Sequence, residues 1–183
     1  MSSGLKGDRM ANKLIQGSKI PNIMLRLVDG HAIVLPEQML GRYLALIFYR
    51  GTWCPYCKRQ LASYQAKLAE LEKLGVSVVA AAVDDLAPSL AMAQELGLTF
   101  PLAYGVTAED VAGLDPWWTE DNHGRYIQPM EFLVLRGGTV FGSIYASGPV
   151  GRMGVEEVLN SVRNRERRRL EQEAAQVGAQ RPA

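Results

Sequence analysis

The sequence predicts an α/β domain in which a mixed β-sheet is sandwiched between helices, with a β-hairpin extension at its N-terminal side. Three patterns carry this expectation. The runs "YLALIFY" (43–49) and "VSVVAAAVD" (76–84) are apolar without alternation, as strands covered on both faces are. Each is followed by a segment with helical character, and strand–helix alternation implies parallel strands joined by crossovers. Asp29-Gly30 and Arg136-Gly137-Gly138 each lie between apolar runs, which marks hairpins and hence antiparallel neighbours.

In chain order, "IMLRLVDGHAIVL" supplies the first hairpin, and 43–49 the first buried strand. Cys57, Leu61, Tyr64, Leu68 and Leu71 then recur at three- and four-residue steps, predicting one helix ended by Gly75. After the 76–84 strand, "PSLAMAQELG" predicts a helix opened by Pro88 and closed by Gly97. "TFPLAYGV" reads as a short strand, and "TAEDVAGL" as a short helix with a Thr cap and an acidic first turn. "DPWWTEDNHGRYIQ" (115–128) has no periodicity and reads as a long loop. "MEFLVL" and "TVFGSIYA" form the second hairpin. From Gly154 onward Val155, Val158, Leu159 and Val162 share one helical face, and the segment continues as the polar "RNRERRRLEQE". The organisation expected is a flexible N-terminal segment at 1–17, one domain at 18–165 and a polar helical or disordered tail at 166–183.

Of the 183 residues, 48% are hydrophobic and 21% charged, the balance of an ordinary globular protein. The net charge of +1 gives no reason to expect a polyanionic partner. The arginines at 163–169 stand among Glu166, Glu171 and Glu173 with no aromatics for base stacking, the pattern of a solvated helix end. No run is long enough to cross a membrane, and "MSSGLKGDRMANKL" lacks the apolar stretch of a secretory signal. A cytoplasmic protein with no nucleic-acid or membrane partner is therefore expected.

Both cysteines of the chain lie in "GTWCPYCKRQL", as Cys54 and Cys57. Three readings compete for such a pair. Structural zinc needs about four ligands, and only His31 and His123 remain to complete a set, so no metal is expected. Inert core cysteines are a second reading. The third, redox, is favoured by position. Cys54 falls at the N-terminal end of a helix and Pro55 in its first turn, where the missing N–H costs nothing. Unpaired amides and the helix dipole stabilise an anion there. Arg50, Lys58 and Arg59 add positive charge wherever they turn toward the sulfur. The exposed, acidified Cys54 is expected to attack, and the more buried Cys57 to resolve the intermediate.

The chain resembles a thioredoxin-fold protein, and more closely the alkyl hydroperoxide reductase/thiol-specific antioxidant (peroxiredoxin-like) family. The resemblance is carried by "IPNIMLRLVDGHAIVL", "LALIFYRGTWCPYCKRQL", "VSVVAAAVDD", "FPLAYGV" and "PMEFLVLRGGTV", which span roughly 20–165. It implies a redox-active dithiol that needs no cofactor. It also implies a proline, usually cis, packed against the pair, and Pro129 occupies that place. Trp53, Thr52, Arg50, Pro55 and Tyr56 would shape the substrate site. Two departures stand out. Thioredoxins carry a buried aspartate six residues before the first cysteine, where this chain has Phe48. Typical peroxiredoxins carry Thr or Ser three residues before theirs, where this chain has Gly51, with Thr52 one residue closer. Their arginine near Pro129 has Arg125 as its nearest counterpart.

Two activities follow as expectations. The first is a thiol–disulfide oxidoreductase cycling Cys54 and Cys57. The alternative is a thiol peroxidase in which Cys54 reduces hydrogen or alkyl peroxides and Cys57 resolves. The expected partners are a thiol or disulfide reductant, a protein disulfide, or a peroxide, together with a second copy of the chain as a homodimer. Trp117 and Trp118 suit either a groove wall or a packed loop, and Asp84 and Asp85 either the site rim or a helix cap. His123 reads as a solvent-exposed loop residue.

Overall fold

The computed structural model describes residues 12–179. Its central sheet has seven strands: β1 (Ile23–Leu27), β2 (Ala32–Leu35), β3 (Tyr43–Phe48), β4 (Val76–Ala81), β5 (Leu102–Tyr104), β8 (Met130–Val134) and β9 (Val140–Tyr145). They lie in the order β2-β1-β5-β4-β3-β8-β9. β3, β4 and β5 are parallel neighbours, while β1 with β2, β1 with β5, β3 with β8 and β8 with β9 pair antiparallel. The predicted mixed α/β sheet flanked by helices is the one observed.

β3 is buried at every position because both its faces are covered. Ala45 and Ile47 join a core that includes Leu61 and Tyr64 of α1 (Pro55–Ala66), Leu71 of α2 (Leu68–Lys73) and Met92 of α3 (Leu86–Leu96). Val155, Val158, Leu159 and Val162 of α4 (Val155–Ala179) complete it. Two crossovers that step the same way across the sheet put α1 and α3 on one face. Leu44, Leu46 and Phe48 point to the other face, into a core closed by Ile23 and Leu25 of the hairpin and by Val111 and Leu114.

Three elements differ from expectation. The single helix expected over 57–71 is two, because the Lys67 amide turns to the Tyr64 carbonyl three residues back. In "TAEDVAGL" the cap forms, the Thr107 amide donating to Asp110 and the Asp110 amide to Thr107. The turn then tightens into a 3-10 segment at Ala112–Leu114 and ends at Asp115, whose φ is 52°. The loop expected over 115–128 is a hairpin of β6 (Trp118–Asp121) and β7 (Gly124–Ile127), turned at Gly124 with φ 81°.

Of the segment expected to be flexible, 1–11 lie outside the described residues. In the remainder, the Leu14 amide donates to the Tyr145 hydroxyl (3.0 Å), and Lys13 pairs with Asp115 (2.9 Å). α4 runs without a break across the expected tail boundary at 165/166. No helix among the described residues is long and apolar enough to cross a membrane.

Candidate active site

Cys54 is the residue that caps α1, extended at φ −86° and ψ 115°, and Pro55 is the first helical residue, as the sequence indicated. The Cys54 carbonyl accepts the first helical bond from the Lys58 amide (3.1 Å). The approach to the cap is tied to the sheet, since the Thr52 amide donates to the Asp84 carboxylate beyond β4 (2.8 Å). Gly51 is required by a close approach: a Cβ there would collide with the Trp53 indole. A Thr or Ser at this position would have to displace that indole.

Both sulfurs are free thiols without accessible surface, which corrects the expectation of an exposed Cys54. The difference between them is electrostatic. Cys54 is held down to about 5, first by the hydrogen bond from the Cys57 thiol, then by the Cys57 amide, Arg152 and Arg50. Cys57 is pushed up, because its thiol donates to Cys54 and because it is buried. The pair therefore holds one thiolate, on Cys54, beside one thiol.

Of the three cations expected to assist, only Arg50 reaches the sulfur, with Nη1 3.9 Å from Cys54 Sγ. Lys58 turns outward to pair with Glu95 (2.7 Å), and Arg59 lies over the Tyr56 ring (5.1 Å). Arg50 is itself fixed by Tyr126, whose hydroxyl accepts from Nη2 (2.8 Å) and donates to Asp121 (2.8 Å). The second cation comes from a residue the sequence did not single out. Arg152, in the loop between β9 and α4, places Nη2 3.3 Å from Cys57 Sγ and 3.9 Å from Cys54 Sγ. Its Nη1 donates to Gln60 Oε1 (2.8 Å), and Gln60 Nε2 donates to Glu131 Oε2 (2.9 Å). Glu131 is buried in β8, and its carboxyl is pushed up to about 7 by that burial.

The β6–β7 hairpin roofs Trp53, the residue next to Cys54. His123 stacks on Trp53 with ring centres 3.8 Å apart and planes at 16°, and Tyr126 meets Trp53 edge-on at 5.0 Å. His123 is exposed in the hairpin turn, as expected, and one face of its ring covers Trp53. Trp118 starts β6, and its ring faces the Arg125 guanidinium (4.5 Å), which keeps Arg125 away from the sulfurs. Trp117 lies under Lys13 (4.0 Å). Pro129 is buried where the hairpin returns to β8, but the Gln128–Pro129 bond is trans; the cis bond among the described residues is Leu35–Pro36. Tyr56 is 43% exposed at the mouth of the motif. Phe48 sits in the core on the sheet face away from the cysteines, so no aspartate at 48 could lie beneath them in this conformation. Asp85 is the cap residue of α3, although its side chain makes no capping bond.

The putative chloroplastic peroxiredoxin Q of Oryza sativa subsp. indica is 29% identical over 93 residues, 51% of this chain and 42% of the rice protein. The chain thus aligns with less than half of that relative's length. Thiol-disulfide oxidoreductase ResA of Halalkalibacterium halodurans is 28% identical over 120 residues, 61% of this chain and 66% of that protein. Among solved structures, the peroxidoxin BcpB of Mycobacterium tuberculosis superposes with a TM-score of 0.70 at 15% identity, covering 82% of this chain and 97% of that one, which shows a shared thioredoxin-like fold. Residues 16–141 match the AhpC/TSA family, and with well over half of its length inside that match the chain belongs to this family.

Proposed function

We propose that the chain is a thiol-dependent oxidoreductase whose oxidant is a hydroperoxide, with Cys54 attacking and Cys57 resolving. The observation that carries this is the Cys54 sulfur, fully buried and bracketed by the Arg50 and Arg152 guanidinium groups. Cys54 sulfur attacks the terminal peroxide oxygen. The O–O bond breaks, Cys54 becomes a sulfenic acid, and the departing hydroxide or alkoxide takes a proton from water. Two fixed cations stabilise the negative charge as it moves from sulfur to the leaving oxygen. The Cys57 thiol then condenses with the sulfenic acid, forming the disulfide and releasing water. An external thiol reduces the disulfide and closes the cycle.

Burial favours a small oxidant. A hydroperoxide needs only a narrow opening beside Trp53, whereas a protein disulfide must bring an S–S bond in line with Cys54. Disulfide exchange remains the second reading, supported by the intact Cys-Pro-Tyr-Cys with Tyr56 exposed at its mouth and by the likeness to ResA.

Stopped-flow oxidation of the reduced protein by hydrogen peroxide and by an alkyl hydroperoxide decides between them. The expected rate exceeds that of a free thiol of the same pKa by about a hundredfold or more, the scale of a preorganised charge-stabilising site. A rate no faster than the free thiol, together with rapid turnover of insulin disulfides, would replace the first reading by the second. Cys54→Ser should abolish turnover, and Cys57→Ser should trap the sulfenic acid.

A further inference from the structure

A carboxylate in the middle of a sheet is costly unless something compensates it. Glu131 lies on β8 between β3 and β9, opposite Ile47 and Ile144, with no accessible surface. Its neighbours Met130 and Phe132 point into the core on the far side of the sheet, which turns Glu131 toward the cysteine side. Oε2 accepts from Gln60 Nε2 (2.9 Å) and from the Met153 amide (2.7 Å). Oε1 meets no donor among the described residues. One oxygen is thus fully engaged while the other is free to carry a proton.

Gln60 can stand in only one orientation here. A carboxylate only accepts and a guanidinium only donates, so the amide must give N–H to Glu131 and oxygen to Arg152. Arg152 then uses every nitrogen: Nη1 on Gln60, Nε on the Pro149 carbonyl (3.2 Å) and Nη2 toward the two sulfurs. The titratable and charged groups around this line come from four sources. The loop before α4 brings Arg152, the stretch after β3 brings Tyr49 near Cys57 and Arg50 beside Cys54, α1 and its cap bring Cys54, Cys57 and Tyr64, and the first turn of α4 brings Glu157 near Tyr64.

We infer that Glu131 is a positioning residue linked to the redox state of the pair: through Gln60 it holds Arg152 across the two sulfurs, and it binds a proton when the disulfide opens and releases it when the disulfide closes. This rests on the reading of Cys54 and Cys57 as a cycling dithiol. In the reduced protein one guanidinium serves two anions, the Cys54 thiolate and the Glu131 carboxylate, so the carboxylate favours its neutral form. In the disulfide the thiolate is gone and Arg152 is left to the carboxylate, which ionises. Linkage makes the effect reciprocal, so protonation of Glu131 favours the dithiol. Opening the disulfide takes two electrons from the external thiol, one proton onto Cys57 and one onto Glu131. Cys54 remains a thiolate above pH of about 5.

The test equilibrates the full chain with reduced and oxidised dithiothreitol across roughly pH 5.5 to 8.5, and reads protons taken up per two electrons from the slope of potential against pH. The wild type should take up two protons below neutrality and one above, with the break near pH 7, where the Glu131 carboxyl titrates in the reduced protein. Glu131→Gln keeps an acceptor for Gln60 but cannot titrate, so it should take up one proton throughout. A reduced-minus-oxidised infrared spectrum of the wild type should show a protonated carboxyl band below pH 7, and this measurement stands even if Glu131→Gln does not fold. An unchanged slope in Glu131→Gln, or no carboxyl band in the wild type, overturns the inference alone. Failure of oxidised dithiothreitol to close an intramolecular disulfide overturns the cycling-dithiol reading, and this inference with it.

Discussion

Cys54 owes its acidity to neighbours that differ greatly in how visible they are in the sequence. The cap position, Pro55 and the Cys57 thiol are all local, and all were legible from "WCPYC". Arg152 was not: it contacts Cys54 across 98 residues of chain, and nothing in "GPVGRMG" marks an arginine aimed inward. Glu131 was hidden for a related reason. A glutamate in "MEFLVL" reads as the polar position of an ordinary strand, and only burial on both sheet faces makes it unusual. Arg152→Met removes the cation shared by both sulfurs and should raise the Cys54 pKa by about one to two units, read from ultraviolet thiolate absorbance. In the wild type, a thiol near 5 means that reactivity toward peroxide stays level above neutrality and falls as pH drops through about 5. A half-point above 7 would contradict the assignment.

The β6–β7 hairpin reads as a loop in the sequence because its strands are short and its outward residues, Glu120, Asp121 and Arg125, are charged types uncommon in strands. What secures it is aromatic contact rather than a run of apolar residues: Tyr126 is buried, and His123 lies flat on Trp53. The long apolar strands, the cap of α1 and the Gly97 stop of α3 were legible, whereas α3 begins at Leu86, two residues before the Pro88 expected to open it. The kink at Lys67 was not, because the apolar spacing continues through it. His123→Ala should loosen the hairpin over Cys54. Alkylation by a bulky maleimide should then rise by several-fold, about the effect of losing one stacked pair at ~1 kcal/mol, while iodoacetamide gains less. Equal gains for both reagents would mean that the hairpin is not the barrier.

Across the molecule, two of the shifted groups, Glu131 and Cys54, pull stability in opposite directions with pH. Glu131 is raised from 4.5 to about 7, so its contribution is fully present below 4.5 and is lost as pH rises through 7. The reduced Glu131→Gln protein should therefore gain on the wild type by about 3 kcal/mol between pH 5 and pH 8, measured by urea unfolding. Cys54 is lowered from 9.0 to about 5, so it stabilises most above 9 and loses that contribution as pH falls through 5. A thiol this acidic, left in open solvent, would react with any electrophile that met it. With both sulfurs at zero exposure, its observed rate is the product of two quantities: how often the cover over Cys54 opens, and how fast the uncovered thiolate reacts. Acidity then governs the chemistry and the roof governs admission, so a variant can change which molecules are oxidants for this protein without moving the pKa of its sulfur at all.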